Sequence, residues 1–197
     1  MHDITIIEPS QFISMPWRNG LGSTTELIRR DLPGGDGFAW RLSMASVVED
    51  GPFSNFTGYD RTLVLLKGAG MTLSYDNCDT HSDILDKPLQ MAQFDGGCAT
   101  HARLHSGAIE DFNIMTRSSV CCVQTTCGCS ENPVSINTSA ETLLVFAAAG
   151  ELNIDVYQTG SLLAPAGALV VIEPPVESLY TIAGVAFIVI EIFNTMK

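Results

Sequence analysis

The amino-acid sequence predicts an all-β protein built from two related antiparallel β-barrel halves. Three observations predict this fold class. Apolar and polar residues alternate in several runs along the chain, the period of a strand with one buried face. Turns rich in Gly, Pro, Asn or Asp separate these runs at the spacing typical of a β-sandwich or β-barrel. Part of the strand pattern also repeats, which indicates two similar halves.

The clearest alternation lies in residues 38–48, where large apolar side chains take the even positions and Arg41, Ser43 and Ala45 take odd ones. The last strand-like segment, residues 178–193, is predicted to be a hairpin that turns near Ala183-Gly184. No segment shows helical periodicity over three turns, and a short helical turn is expected near Pro9–Phe12. The other strand-like runs are residues 62–68, 71–76, 141–148, 151–157 and 168–174.

The internal repeat relates an apolar strand, a small-residue turn and an alternating strand in each half of the chain. It predicts two halves, residues 1–125 and 126–197, with a polar, turn-rich linker over residues 126–140. The aligned positions, at one constant offset, are Leu63, Leu65, Met71, Leu73 and Tyr75 with Leu144, Phe146, Leu152, Ile154 and Val156.

The second copy continues into residues 160–167, a G-x4-P-x-G turn that leads into an apolar strand. This turn resembles the second sequence motif of cupins, in which glycine permits a tight turn between barrel strands. Metal-dependent cupins hold their ion with a His-x-His pair, a glutamate and a later histidine, ligands that suit transition metals. The chain has no His-x-His, and no histidine follows His105. The sequence therefore predicts no metal site and no cofactor. The histidines are His2, His81, His101 and His105.

Charge and hydropathy exclude several classes of protein. The 22 acidic residues outnumber the 10 basic ones, so the net charge of −12 should repel nucleic-acid backbones. No apolar run approaches the roughly 20 residues of a membrane helix. The N-terminus lacks the basic and apolar regions of a signal peptide. We therefore expect a soluble, cytoplasmic protein without nucleic-acid or membrane partners.

The six cysteines are expected to be free thiols, because a chain without a secretion signal stays in a reducing compartment. Four of them form a C-C-x4-C-x-C cluster, whose spacing does not match a zinc site. The cluster comprises Cys121, Cys122, Cys127 and Cys129, and the other two cysteines are Cys78 and Cys98.

Four blocks in the first 120 residues combine Trp, Arg, Asn, Gly and hydroxyl residues in a way that ordinary strands do not. They are PWRNGLGSTTE at 16–26, WRLSMA at 40–45, GPFSNFTGYDR at 51–61 and DFNIMTR at 111–117. In this order and spacing the blocks resemble the HutD/Ves family. The resemblance covers most of the chain and is strongest over residues 12–117.

The resemblance implies a bicupin fold without the usual cupin metal ligands and an association with histidine utilisation. It also implies a small acidic pathway intermediate as ligand, with urocanate and formylglutamate as the natural candidates. No catalytic activity is established across the family. The expected function is therefore a metal-independent small-carboxylate binding protein that modulates histidine catabolism.

The residues of the four blocks suit a carboxylate or formyl ligand, because guanidinium and amide groups hydrogen-bond such groups. Arg41 and Ser43 share the less apolar face of one strand, and Asn113 faces opposite to its two apolar neighbours. In the alternative interpretation, Arg41 and Arg61 pair with internal carboxylates and close the barrel. The candidate ligand-binding residues are Trp17, Asn19, Thr25, Arg41, Ser43, Phe53, Ser54, Arg61 and Asn113, and the internal carboxylates are Glu26, Asp60 and Asp111.

Two other functions remain open from the sequence. A metal-independent isomerase or hydrolase acting on a small acid would use Glu26 or Asp111 as a general acid–base. A purely structural or interaction role is the third alternative. The expected partner is a small acidic metabolite, and the oligomeric state is open, with a homodimer as the alternative to a monomer.

Overall fold

The computed structural model describes residues 3–17, 20, 22–76, 78, 81–158, 160–173 and 179–195. The chain divides into two compact units. The N-terminal unit is Ile13–Val120, and the C-terminal unit consists of Met1–Phe12 and Cys121–Lys197. In the described residues both units are built from β-strands, and the one helical segment is the 3-10 turn Pro9–Gln11, which confirms the short helical turn predicted there.

The strands of the N-terminal unit form two antiparallel sheets. One sheet has six strands in the order β2-β3-β4-β11-β6-β9, and the other has four in the order β5-β10-β7-β8. The strands are β2 Ile13–Pro16, β3 Gly22–Asp31, β4 Phe38–Val47, β5 Gly51–Pro52, β6 Tyr59–Lys67, β7 Met71–Asp76, β8 Ser82–Leu85, β9 Met91–Asp95, β10 Ala99–Leu104 and β11 Ile109–Arg117.

The core of the N-terminal unit forms where apolar positions of both sheets face each other. Successive side chains of β6 and of β7 point to opposite faces, so every second side chain of these strands enters this core. The cluster consists of Val47, Leu63, Leu65, Met71, Leu73, Tyr75, Leu85, Ala92, Ala102 and Ile109. The same face of the six-stranded sheet carries the polar residues described in the next section.

The strands of the C-terminal unit form a single seven-stranded sheet. The 15-residue strand β14 and the 16-residue strand β17 pair along nearly their whole length, and shorter strands add to both of their edges. The strands are β1 Asp3–Ile7, β12 Cys121–Cys129, β13 Val134–Asn137, β14 Thr142–Val156, β15 Gly160–Ala164, β16 Leu169–Glu173 and β17 Leu179–Asn194.

Two strand predictions in this unit were wrong. The predicted hairpin at Ala183-Gly184 is the continuous strand β17, and the runs at 141–148 and 151–157 are the single strand β14. Gly184 resembles a turn glycine in the sequence, but a Cβ there would lie 3.1 Å from the Glu151 carbonyl oxygen. This glycine therefore permits close strand packing. Gly150, at φ 67°, lies within β14 where its register against β17 is irregular, and the strand continues past it.

The second part of the predicted repeat agrees with the structure. In the first part, the residues that face the core are offset by one position from the predicted ones. Leu152 and Ile154 face the core of their unit, as predicted, but so do Leu143 and Val145. The aligned residues Leu144 and Phe146 are buried on the opposite face of β14. The cause is the irregular register of β14 against β17 beyond Phe146, which changes the alternation between the two parts.

The unit boundary also differs from the predicted division into residues 1–125 and 126–197. Cys121–Cys129 is one uninterrupted strand paired with β17, so the C-terminal unit begins at Cys121. Residues of β1 pair with β16, which adds the start of the chain to the same unit. Both the residues from Cys121 onward and the start of the chain are assigned to the C-terminal unit because they pair with strands that are distant in sequence.

The prediction of six free thiols was wrong for one pair. Cys78 and Cys98 form a disulfide with their Cα atoms 5.7 Å apart. Asp76, in β7, pairs with Ala99, in β10, so the residues just beyond this pair approach each other and their cysteines can join. All six cysteines lie in the described residues, and no disulfide joins the four cysteines of β12. Burial raises the pKa of the Cys127 thiol, one of these four, to about 11.

Among the described residues, no helix is long and apolar enough to cross a membrane.

Candidate functional site

The N-terminal unit encloses a cavity of about 500 Å³, within the range of small-molecule sites. Polar groups from β4, β6 and β11 form its floor, and the remainder is lined by aromatic and apolar residues together with Thr24, Glu49, Asp50 and Ser54. The lining residues are Trp17, Thr24, Arg41, Ser43, Ala45, Val47, Glu49, Asp50, Gly51, Pro52, Phe53, Ser54, Phe56, Arg61, Asp111, Asn113 and Met115.

Strand register places the polar floor. On β11, Met115 lies opposite Arg41 of β4 and opposite Arg61 of β6. Two residues earlier, Asn113 lies opposite Ser43. Asp111 follows at the next level of the same face, because side chains two residues apart point to the same side of a strand. Three adjacent strands thus present two arginines, an amide, a hydroxyl and a carboxyl to one cavity.

Arg61 is held among aromatic rings. Its guanidinium carbon lies 5.0 Å from the ring centre of Phe53, 5.7 Å from that of Phe56 and 5.1 Å from that of Phe94. These distances are within the range of cation–π attraction. Arg61 is 5% exposed, and its Nε has no hydrogen-bond partner in the part of the chain that the structure describes. Burial lowers the pKa of this guanidinium to about 10, with Asp111 acting in the opposite direction.

Asp111 supplies the buried acidic group of the floor. Its side chain is 1% exposed, and its Oδ1 has no hydrogen-bond partner among the described residues. Burial raises the pKa of this carboxyl to about 7, although the positive charge of Arg61 opposes the increase. Asp111 is therefore close to half protonated at neutral pH.

Arg41 differs from Arg61 because it has a carboxylate partner. Arg41 Nε lies 2.9 Å from Glu26 Oε2, and both side chains are mostly buried. The contact is an ion pair and not an aligned hydrogen bond, since the Nε–H has no hydrogen-bond acceptor among the described residues. Glu26 thus faces Arg41 and is not among the residues that line the cavity.

Trp17 also lines the cavity, and its Nε1–H donates a 2.8 Å hydrogen bond to Thr24 Oγ1. Gly22 makes this placement possible. A Cβ at Gly22 would overlap the Ser46 backbone oxygen and lie 3.0 Å from the Trp17 ring. The glycine therefore lets β3 lie close to β4 with the indole packed against it.

The aromatic wall is anchored by hydrogen bonds to β10 and to the turn before it. The Phe53 N–H donates to the Thr100 carbonyl at 2.8 Å, and the Phe56 N–H donates to the Gly96 carbonyl at 2.7 Å. The Asn55 side-chain amide donates to the Gly97 carbonyl at 2.9 Å. These bonds hold the segment between β5 and β6, so that two of its phenylalanines face Arg61.

The structure brings most of the sequence-predicted site residues together. Thr25 is the exception, since it lies opposite Met44 on the other face of the sheet and its hydroxyl donates to Ser14 Oγ. Its neighbour Thr24 lines the cavity instead. Asn19 lies outside the described residues. The predicted residues that line the cavity are Trp17, Arg41, Ser43, Phe53, Ser54, Arg61 and Asn113, and Asp111 lines it too.

Sequence reasoning missed several residues of the site. Phe56 lies in the block at 51–61 and could have been found from its spacing to Phe53. Phe94 reaches Arg61 because β9 pairs with β6, with Phe94 opposite Arg61. No local signal in the sequence indicates that pairing.

The cavity does not fit a cupin metal centre. None of its described lining residues is a histidine or cysteine. Over the described residues as a whole, no group of three or more His, Cys, Asp or Glu side chains is arranged to hold a metal ion. Arginine, the dominant charged residue of the floor, is not a metal ligand.

Comparison with known proteins identifies the family. The family model HutD matches residues 9–188, which include the whole N-terminal unit from Ile13 onward. The chain belongs to the HutD family. Proteins of this family have a cupin-like fold and are associated with histidine utilisation.

Relatives of known sequence and structure agree with this assignment. The chain is 34% identical over 154 residues to the uncharacterized 21.2 kDa protein in the hutC 3' region of Pseudomonas putida, covering 78% of each protein. It is 40% identical over 106 residues to protein Ves of Escherichia fergusonii, covering 53% of each. HutD from Pseudomonas fluorescens SBW25, in its formate condition, superposes with a TM-score of 0.83 at 29% identity, covering 98% and 99% of the two chains.

More distant structures share the fold alone. Oxalate decarboxylase from Lactobacillus farciminis superposes with a TM-score of 0.64 at 8% identity, covering 95% of this HutD chain and 85% of its own. The predicted fold class, an all-β bicupin, is confirmed.

Proposed function

We propose that this HutD protein binds a small carboxylate in the cavity of its N-terminal unit and carries out no reaction on it. The observation that carries the proposal is Arg61, a buried guanidinium without a hydrogen bond at Nε among the described residues. A buried cation needs an anionic partner, and a carboxylate matches the planar donor fork of arginine. A ligand carboxylate would supply this partner.

The remainder of the cavity supports an organic acid. Its volume of about 500 Å³ exceeds what a one- or two-carbon acid fills, and its phenylalanines and Trp17 favour an apolar or planar body. Within a family associated with histidine utilisation, urocanate and formylglutamate are our leading candidates. Binding of such an intermediate would let the protein modulate histidine catabolism according to its supply.

A calorimetric titration of the purified protein with urocanate, formylglutamate, formate and further small acids tests the proposal. We expect at least one acid to bind with a one-to-one stoichiometry, and substitution of Arg61 to weaken it. An Arg103→Ala variant removes the same charge from the exposed face of β10 and should bind as the wild type does. Absence of binding by the whole panel would contradict the proposal.

The second candidate function is a metal-independent isomerase or hydrolase that acts on a small acid. Asp111 favours it, because a buried carboxyl with a pKa of about 7 is suited to general acid–base catalysis at neutral pH. Prolonged incubation of each bound acid with the protein, followed by NMR of the mixture, separates the two functions. A new product whose formation is lost in Asp111→Asn would establish the enzyme.

A further inference from the structure

Two hydrogen-bond acceptors in the cavity have no donor among the residues that the structure describes. Asp111 Oδ1 and Asn113 Oδ1 are both buried, and neither has a hydrogen-bond partner among the described residues. Both residues line the cavity from the same face of β11. Asp111 as a whole is 1% exposed, so that bulk water does not reach its carboxyl.

Buried oxygens of this kind are almost always satisfied in folded proteins. Water can serve them while the cavity holds no ligand, but a ligand that displaces this water must supply the donor itself. The requirement does not depend on the ionisation of Asp111, because a carboxylate and a carboxylic acid both keep an acceptor oxygen. A simple carboxylate carries acceptors only and would leave these oxygens unpaired.

The acceptors stand next to the cationic end of the cavity. Asn113 lies two residues from Met115, the residue flanked by Arg41 and Arg61, which corresponds to roughly 7 Å along a strand. A ligand whose carboxylate meets Arg61 can therefore extend along β11 to Asn113. A donor group at that position would reach Asn113 Oδ1.

We propose that the ligand of this HutD protein is a carboxylic acid that also carries an N–H or O–H donor a few bonds from its carboxylate, received by Asn113 Oδ1 with the Asp111 carboxyl beside it. The proposal rests on the proposed carboxylate site and names the class of acid that the site selects. Amido, amino, hydroxy and N–H heteroaromatic acids belong to this class. Esters, ethers and purely hydrocarbon acids do not.

Matched acids that differ in the donor test the proposal on the wild-type protein. The pairs are N-acetylglycine with acetoxyacetate, N-acetylglutamate with 2-acetoxyglutarate, and urocanate with 3-(oxazol-4-yl)acrylate. In each pair an oxygen replaces the N–H at nearly unchanged shape. We expect the donor acid of the tightest pair to bind about ten-fold tighter or more, since a site built around a donor rejects an analogue that lacks it.

The Asn113→Ala variant tests whether Asn113 Oδ1 is the acceptor that causes the preference for the donor acid. In Asn113→Ala the ratio of the two dissociation constants should fall to within about two-fold, whereas Arg103→Ala should keep the wild-type ratio. Urea denaturation of both variants establishes that they are folded. A ratio that persists in Asn113→Ala overturns the assignment to this residue.

The outcomes also separate this inference from the proposed function. Equal affinity within the pairs, or binding of formate and acetate but of no paired acid, overturns the inference and leaves carboxylate binding in place. Failure of every acid to bind overturns both.

Discussion

Arg41 and Arg61 lie at one level of the six-stranded sheet, each directly opposite Met115 on the strand between them. Two positive charges on the strands that flank β11 repel each other, and Arg41 accordingly contributes to the lowered pKa of Arg61. Glu26 compensates Arg41 through an ion pair, whereas Arg61 depends on a carboxyl that is itself close to half protonated at neutral pH. The positive charge of Arg61 is thus less fully compensated than that of Arg41, as the proposed carboxylate site requires.

We expect Arg61→Ala to weaken binding of a small acid about ten- to hundred-fold, since a charge-assisted hydrogen bond contributes roughly 1.5–3 kcal/mol. Arg41→Ala should also weaken binding, but less, because Glu26 already pairs with Arg41. Calorimetric titration with the tightest acid of the panel measures both effects.

Stability must be measured with these variants, because each substitution removes the positive charge next to a carboxyl. Urea denaturation in parallel distinguishes lost binding from lost folding. A folded Arg41→Ala/Arg61→Ala double variant that binds the acid as tightly as the wild type would place the site elsewhere.

The alternation of side chains between the two faces of a strand was sufficient to predict which residues of β4 and β11 share a polar face. Arg41 and Ser43 alternate with large apolar residues, and Asn113 alternates with Phe112 and Ile114, so their common direction could be predicted from the sequence. The resemblance to a known family added Trp17 and Arg61. These residues meet in one cavity because β4, β11 and β6 are neighbours in the sheet.

Errors arose where register, and not local pattern, decides the direction of a side chain. Thr24 and Thr25 are alike in type, and a bulge between Glu26 and Ile28 breaks the alternation that would have separated them. Gly184 looked like a turn because the sequence does not show the Glu151 carbonyl that approaches it. Both features depend on how a strand pairs with its neighbour, which the local residue pattern does not show.

The carboxyl of Asp111 should make stability fall with rising pH. Its pKa is about 7 in the folded protein and roughly 4 in an unfolded chain, so between these values the folded state holds a proton that the unfolded state has lost. The free energy of unfolding therefore decreases by a few kcal/mol from about pH 4 to pH 7 and levels off above.

Urea denaturation of the wild type and Asp111→Asn between pH 4 and pH 8 measures this contribution. Titration of all other groups is common to both proteins, so the difference between their curves isolates Asp111. A difference that does not change with pH would show that this carboxyl is ionised throughout.

Binding of an acid should also depend on the ionisation of Asp111. When Asp111 is neutral, the positive charge of Arg61 has no compensating carboxylate, and no negative charge repels the ligand. The protonated form of the protein should therefore bind an anion more tightly. We expect affinity to fall as the pH rises above 7, approaching ten-fold per pH unit, with proton uptake on binding. Titrations at pH 6, 7 and 8 in two buffers of different ionisation enthalpy measure both effects, and Asp111→Asn should abolish them.

Reduction of the disulfide should destabilise the N-terminal unit. Cys78 and Cys98 are 20 residues apart in sequence, and a cross-link across a loop of this length stabilises a protein by about 3 kcal/mol. We expect a reductant to lower the urea midpoint of the wild type but not that of Cys78→Ser/Cys98→Ser. Cys122→Ser, which removes an exposed cysteine of β12, should behave as the wild type. A wild-type midpoint that is insensitive to reductant under denaturing conditions would contradict the disulfide.

The two tryptophans offer a direct report of where the ligand binds. Trp17 lines the cavity, whereas Trp40 is 3% exposed and lies on the opposite face of β4 from Arg41. An acid that enters the cavity changes the surroundings of the Trp17 indole and leaves those of Trp40 unchanged. We therefore expect the tightest acid of the panel to alter the fluorescence of the wild type and of Trp40→Phe, and to have little effect on Trp17→Phe. Calorimetry on Trp17→Phe verifies that the acid still binds, and a full fluorescence response in that variant would contradict binding in this cavity.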